Sequence, residues 1–188
     1  DILLDGISVV KDPIVCKRSM AYVPDTPRLE EYMTGMQYLN FVCDIYQVPS
    51  KERQQNIERL IHAFQMEPHI SGLISSYSHG MKQKVALIAA FSHNPKFLVL
   101  DEPFVGLDPE AFIALKDQMK MLCRKRSSVL FSSHILDVVE KLCNKISIIK
   151  DGRLLYSGTT EELIGVEGLE EAFMELNSNE RFDPSIEK

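Results

Sequence analysis

Cysteine is scarce and scattered among the 188 residues: Cys16, Cys43, Cys123 and Cys143 form no C-x-x-C pair, and no histidines stand near them at metal-ligand spacing. That spacing excludes a thiolate metal centre, and the thiols are expected to be reduced and structural. Glycine and proline number only nine each, against 45% hydrophobic and 26% charged residues, which excludes collagenous, low-complexity and disordered chains. Long apolar runs are missing too. Stretches such as Phe97 to Leu100 fall far short of the roughly 20 residues that cross a bilayer, and no basic-then-apolar signal segment opens the chain. A soluble, intracellular polypeptide is expected. A surplus of bases is also lacking: 21 Lys and Arg face 27 Asp and Glu, a net charge of −6. Residues 159–188 hold nine acids and two bases, a net of −7, which leaves +1 for residues 1–158. A balanced body offers no broad basic surface for phosphates, so no nucleic-acid partner is expected, and Arg124-Lys125-Arg126 reads as a solvated helix end. What remains is one globular domain or slightly more, with enough apolar residues for a core and no internal repeat.

Local patterns order this chain into helices and strands. Asp1 to Gly6 reads as a short strand stopped by a turn, and Met20 to Val23 as another before Pro24. Thr34 with Gln37 makes a capping box, followed by Met36, Leu39, Val42, Cys43 and Tyr46 at helical spacing, with Pro49 expected to stop the helix. Ser50 is expected to cap the next one, whose Ile57, Leu60, Ile61 and Phe64 form one apolar stripe, with Pro68 ending it. A Ser- and Gly-rich stretch, Gly72 to Gly80, feeds a helix from Met81 to Ser92 that Asn94-Pro95 breaks. Phe97 to Leu100 looks like a strand buried on both faces, then come a helix from Pro109 to about Cys123, a strand Ser128 to Phe131 and a helix through Val138, Val139 and Leu142. Strand, helix, strand, helix is a parallel α/β core. Lys145 to Lys150 and Arg153 to Tyr156 flank Asp151-Gly152, a two-residue hairpin signal, and the acidic tail reads as helical around Leu169 to Leu176.

The sharpest chemical signal is Leu98-Val99-Leu100-Asp101-Glu102-Pro103. Two adjacent carboxylates at the C-terminal end of a buried parallel strand stand where α/β proteins bind ligands. Asp101 would face a magnesium ion, directly or through water, and Glu102 would orient or deprotonate a water attacking a phosphoryl group. On the hexapeptide alone, a carboxylate pair that merely caps a helix or closes a loop is an equal alternative.

Tyr77-Ser78-His79-Gly80-Met81-Lys82-Gln83 precedes this pair, Gly106-Leu107-Asp108-Pro109 follows it, and Ser133-His134 comes after the next strand. The order and spacing of these motifs, from the first turn to the final hairpin, resemble the ATP-binding subunit of an ABC transporter. The resemblance implies a P-loop NTPase-like α/β core of parallel strands with an inserted helical subdomain. Its boundaries would be a partial ATP-binding domain over 1–158 and an acidic helical tail over 159–188. Within the former lie a helical subdomain over about 27–92, a core over about 96–143 and a hairpin over 145–157. Carried over by position, Asp101 looks like the Walker B aspartate, Glu102 like the catalytic glutamate, His134 like the switch histidine on the γ-phosphate, and Asp108 like the D-loop aspartate at a dimer interface. Ser78, His79, Gly80 and Met81 look like the signature at a helix N-terminus, where free amides and the helix dipole suit an anion. His62, His69, His79 and His93 take no catalytic part in this reading.

Two motifs depart from the family pattern. Asp25, in Ala21-Tyr22-Val23-Pro24-Asp25, stands where the Q-loop has glutamine; a carboxylate still binds a hard cation. The usual L-S-G-G-Q appears as Tyr77-Ser78-His79-Gly80-Met81, with His79 for a glycine and Met81 for the glutamine. A third difference is larger, because no G-x-x-x-x-G-K-S/T occurs in the sequence. The resemblance would put that loop just upstream of Asp1, with its strand and helix, so an N-terminally truncated domain is expected. Such a chain is expected to bind ATP poorly, to hydrolyse it negligibly, and to self-associate, lose order in part or recruit another chain through an open sheet edge.

The implied function is ATP binding and hydrolysis in an ABC transporter. ATP and Mg2+ would serve as cofactors, and a second ATP-binding subunit and a membrane-spanning subunit as partners, at the cytoplasmic face of the cell membrane. An acidic residue at the Q-loop position resembles bacterial exporters of drugs or antibiotics. A non-catalytic interaction module of the same fold, and a soluble ABC ATPase unconnected to transport, are the alternatives; Glu102 and His134 argue against the first, and the single cassette and balanced body against the second.

Overall fold

A computed structural model describes residues 1–164 and 168–178, which divide into two compact units, Asp1–Ser132 and the residues from Ser133 onward. The first opens with a hairpin of β1 (Leu3–Leu4) and β2 (Ile7–Ser8), paired antiparallel about Asp5 and Gly6 at φ +50° and +79°. Helix α1 (Pro13–Arg18) follows, with proline in its first turn, and leads to β3 (Met20–Val23). Next come α2 (Gly35–Ile45), α3 (Ser50–Ala63), a 3-10 turn at Ile74–Ser76 and α4 (His79–Ser92). Strand β4 (Phe97–Leu100), helix α5 (Pro109–Arg124) and strand β5 (Ser128–Phe131) complete the unit.

The sheet order is β3-β4-β5, parallel throughout, with Met20, Phe97 and Ser128 at one end of the register and Val23, Leu100 and Phe131 at the other. This is the parallel α/β core that the strand-helix alternation predicts. Burial on both faces of β4 is not observed. Leu98 and Leu100 are buried, as are Ala21 and Val23 on β3, whereas Phe97 and Val99 are half-buried. In the cross-strand row through Val99, Tyr22 and Leu130 are each 58% exposed. The continuous apolar run thus serves a sheet with one deeply packed face.

Helix α4 is the hub of the first unit. From Gln83 to Ser92 every residue is buried, with α2, α3, α5 and β3 packed around it. Leu39 and Cys43 from α2, and Ile57, Leu60 and Ile61 from α3, supply the facing apolar stripes that their spacing predicts. The Thr34 capping box forms: Thr34 Oγ1 accepts from the Gln37 amide at 3.2 Å, and Gln37 Oε1 accepts from the Thr34 amide at 2.8 Å.

Helix ends differ from expectation in four places. Ser50 does not cap α3; Pro49 occupies that position, extended at ψ 139°, with no side-chain bond, and its carbonyl accepts from the Arg53 amide at 2.8 Å. Neither Pro49 nor Pro68 is the stop. Helix α2 ends where Gln47 turns left-handed at φ +56° and the Val48 amide reaches back to the Cys43 carbonyl, and α3 ends likewise at Gln65, φ +54°, with Met66 to Ile61. These six-to-one bonds satisfy orphan carbonyls before either proline is reached. Helix α4 starts two residues earlier than Met81, because Ser78 Oγ accepts the Met81 amide and makes His79 the first helical residue.

The second unit contains α6 (Leu136–Leu142), β6 (Lys145–Lys150), β7 (Arg153–Thr159), α7 (Thr160–Ile164) and α8 (Leu169–Ser178). Strands β6 and β7 form the hairpin about Asp151-Gly152, both residues at positive φ. Helix α8 packs on α6 and α7, and the Leu169 amide donates to Glu140 Oε2 at 3.0 Å. Residues 165–167 and 179–188 of the tail lie outside the described residues.

Buried Lys84 ties α4 to α5: 9% exposed, it meets Asp108 Oδ2 at 2.5 Å, while Asp108 Oδ1 accepts the Ala111 amide at 2.8 Å and caps α5. The hydrogen bond from Lys84 holds the Asp108 carboxyl below its usual range. Because the folded value is depressed, this contribution to stability is present above the unfolded carboxylate value and is lost as pH falls through the folded one. Asn retains the cap, so Asp108→Asn is expected to cost about 1–2 kcal/mol at pH 7, between the values typical of exposed and buried pairs. Urea titrations at pH 7 and pH 3 should show the gap from wild type shrinking in acid; an equal gap at both would mean the ion pair contributes nothing. A second test concerns Gly35, where a β-carbon would lie 2.6 Å from Tyr77 Oη and 3.0 Å from the Ile70 carbonyl. Tyr77 is held by donating to the His69 and Gly72 carbonyls at 2.7 and 3.1 Å. Overpacking should therefore outweigh the helix propensity of alanine, and Gly35→Ala should lower stability by about 1–3 kcal/mol in the same assay.

Candidate functional site

The parallel register brings the acidic pair to an edge. Past the strands the ladder continues: the Asp101 amide donates to the Val23 carbonyl at 2.9 Å and the Ser132 amide to the Leu100 carbonyl at 3.0 Å. The C-terminal edge of the sheet therefore carries Pro24 and Asp25 after β3, Asp101 and Glu102 after β4, and Ser132 after β5. Edges of this kind are where open parallel sheets hold ligands. Asp25 and Asp101 are exposed and Glu102 is half-buried.

Glu102 is backbone-strained. Its φ is +43°, a left-handed conformation that a non-glycine residue adopts at a cost of about 1–2 kcal/mol. The Ser132 hydroxyl spans the pair, accepting the Glu102 amide at 2.8 Å and donating to Asp101 Oδ1 at 2.6 Å. Beyond Glu102 the chain turns tightly, with Val105 donating to the Glu102 carbonyl at 3.2 Å. Phe104 anchors the turn, buried against Phe112 and Phe131 at ring separations of 4.7 and 5.9 Å.

The turn then meets the start of α4. A β-carbon on Gly80 would fall 2.6 Å from the Gly106 carbonyl oxygen, and one on Gly106, at φ +75°, would fall 3.0 Å from His79 Cδ2. The first turn of α4 and the Gly106–Asp108 segment are thus in direct contact, and Lys84–Asp108 reinforces them one turn further on. His79 and Ser78 are exposed, and the first amides of α4 have no acceptor within the helix. On the other side Lys82 pairs with Glu31 at 2.5 Å.

Asp101, Glu102, Ser78 to Met81 and Asp108 all lie in the first unit, linked through the turn at 103–108. His134 belongs to the second unit, exposed, in the segment before α6 where the Ile135 amide donates to Ser133 Oγ at 3.1 Å. Ser132 and Lys84 escaped functional attention in the sequence. The signal for Ser132 was available: it is one residue past β5, as Asp101 is one residue past β4, and in-register parallel strands set those two side by side.

Among the described residues no group of three or more His, Cys, Asp or Glu side chains forms a metal cage. With Asp101 Oδ1 engaged by a hydroxyl, the donor set suits a magnesium ion that keeps waters and takes phosphate oxygens, using one or two carboxylates from the protein. A separate groove of about 530 Å³ lies beside β3, lined among others by Tyr22, Pro24, Arg28, Tyr38, Tyr46 and His93. The Tyr46 and His93 rings stack there at 3.6 Å and 6°, and burial pushes the His93 imidazole down to about 4, so it is neutral near pH 7. No helix among the described residues is long and apolar enough to cross a membrane.

Comparison with known proteins bears on the family and the fold. The sequence profile of the family described as ABC transporter matches residues 1–105. The ABC-type transporter ATP-binding protein EcsA of Bacillus subtilis is 33% identical over 172 residues, covering 92% of this chain and 70% of EcsA. The linearmycin resistance ATP-binding protein LnrL of the same organism is 27% identical over 185 residues, covering 93% of this chain and 60% of LnrL. The chain spans about half the length of other curated relatives it matches. A solved structure of an ATP binding subunit of an ABC transporter superposes with a TM-score of 0.88 at 32% identity, covering 93% of this chain and 75% of that one. Fold, motif order and relatives converge: the chain belongs to the ABC transporter family and has the fold of its ATP-binding subunit.

Proposed function

We propose that this chain provides the hydrolytic and signature elements of an ATP-driven transport subunit. The observation that carries the reading is the Asp101–Glu102 pair at the C-terminal end of β4, clamped by Ser132 and joined through one tight turn to the start of α4. Asp101 takes the Walker B role, with Asp25 as an added oxygen ligand at the Q-loop position. Magnesium, when bound with ATP, offsets charge on the phosphate oxygens. Glu102 orients and deprotonates the attacking water, and His134 contacts the γ-phosphate. The amides and side chains at Ser78, His79, Gly80 and Met81 grip the γ-phosphate of a nucleotide held mainly by a second subunit, and Asp108 lies at the interface between the two.

ATP would draw two such subunits together and hydrolysis would release them, with the movement passed to a membrane-spanning partner at the cytoplasmic face. The groove beside β3 is the proposed docking surface: it joins the loop after β3 to α2 and α4, so a partner seated there would touch the segment bearing Asp25. Export of drug-like or antibiotic compounds is the direction we favour. It is supported by the acidic Q-loop residue and by similarity to LnrL, a linearmycin resistance ATP-binding protein.

Replacing Glu102 with Gln in the complete ATP-binding subunit removes the base and keeps the shape. ATP affinity should stay within about twofold, while turnover falls by about 10²–10⁴, the range typical of losing a general base. Steady-state hydrolysis together with equilibrium nucleotide binding tests this; undiminished turnover would reassign Glu102 and favour a fold used only as a binding platform.

A further inference from the structure

We propose that Ser132 is a positioning residue for hydrolysis, a single hydroxyl that sets both the Asp101 carboxylate and the Glu102 backbone. The inference rests on the functional reading above and adds to it a residue outside the acidic pair. Its geometry is closed on three sides. The Ser132 amide donates to the Leu100 carbonyl at 3.0 Å, which fixes the serine backbone to β4. Its hydroxyl proton goes to Asp101 Oδ1 at 2.6 Å, a short bond of the charge-assisted kind. A lone pair of the same oxygen accepts the Glu102 amide at 2.8 Å.

A serine hydroxyl has one donor and two acceptor positions, so the two bonds are compatible and direct each other. With the proton committed to a carboxylate, the lone pair is left to face the amide. Two consequences follow for the neighbours. The Asp101 carboxylate is held in one plane, with Oδ2 remaining for other ligands. Glu102 is held at φ +43°, a left-handed conformation that a non-glycine residue does not favour. Alanine at 132 would break both bonds at once; threonine would keep both.

A polar residue that only closed a strand end would make a different prediction. Ser132 is exposed, so water can replace its hydroxyl with little loss of folding, and a merely structural role would leave cation dependence and turnover unaltered. The decisive experiment compares Ser132→Ala and Ser132→Thr with wild type in the complete ATP-binding subunit. Amide hydrogen exchange at Glu102, read by NMR without nucleotide, should accelerate at least tenfold in Ser132→Ala and stay near wild type in Ser132→Thr. In hydrolysis assays Ser132→Ala should lower kcat about tenfold or more and raise the half-saturating Mg2+ concentration several-fold, with KM for ATP within about twofold. Ser132→Thr should restore most of both. Wild-type kcat and Mg2+ dependence in Ser132→Ala, while Glu102→Gln still stalls turnover, would overturn the positioning role and leave the functional reading intact. Unaffected turnover in Glu102→Gln would instead count against the functional reading, whatever Ser132 does. Loss of turnover in Ser132→Ala with unchanged exchange at Glu102 would also overturn the role, because the hydroxyl would then act by some route other than the bonds seen here.

Discussion

The constraint on which the site depends is the register of three parallel strands. Side by side, Val23, Leu100 and Phe131 end the strands at the same level, and the ladder runs one residue further on each side of β4. Asp101 is placed by a backbone bond to Val23 and Ser132 by one to Leu100. A shift of one residue in β5 would present a different side chain to the Asp101 carboxylate and turn the alternate faces of the strand over. Chemistry at this edge is therefore set by main-chain hydrogen bonds and by the apolar row Ala21, Val23, Leu98 and Leu100 that anchors them. The carboxylates themselves contribute little to holding the sheet.

A second constraint follows from how deeply α4 is buried. A helix enclosed from Gln83 to Ser92 cannot move alone, so its exposed first turn is fixed relative to whatever it touches. It touches the Gly106–Asp108 turn through Gly80 and His79, and Lys84 adds an ion pair. A lysine that is 9% exposed would be costly without a partner, and Asp108 fills that need while also capping α5. One aspartate thus joins the helix that begins with the signature residues to the turn that follows the acidic pair. Rearrangement at either end has a direct mechanical route to the other.

Much of this was legible in the residues, for identifiable reasons. The Thr34–Gln37 box and the Asp151-Gly152 hairpin are local devices whose partners lie within a few residues, and both form as read. Strand Met20–Val23 was legible because Pro24 bounds it and its composition is apolar. Helix ends were less so. Gln47 and Gln65 carry no glycine-like mark, and only the cost of unpaired carbonyls explains why the chain turns left-handed there ahead of the prolines. Short α1 has too few residues to show a period. The uneven burial of β4 was hidden because an apolar run looks the same whether one face or two is deeply packed. The acidic pair announced itself by type and place, but the Ser132 bridge is a non-local contact visible only once two strands share a register.

The two glycine positions of the signature, one kept and one substituted, can be weighed by what surrounds them. At residue 80 a β-carbon would meet a backbone carbonyl oxygen at 2.6 Å, and neither the helix nor the anchored turn can yield cheaply. Only glycine fits there, and glycine is what the chain has. At residue 79 the exposed side chain leaves the first helical position, and its Cδ2 would stand 3.0 Å from a β-carbon placed on Gly106. That arrangement works because residue 106 has no side chain and because its φ of +75° already favours glycine. Histidine at 79 and glycine at 106 are accordingly a matched pair: a side chain can be gained on the helix provided that the turn keeps none.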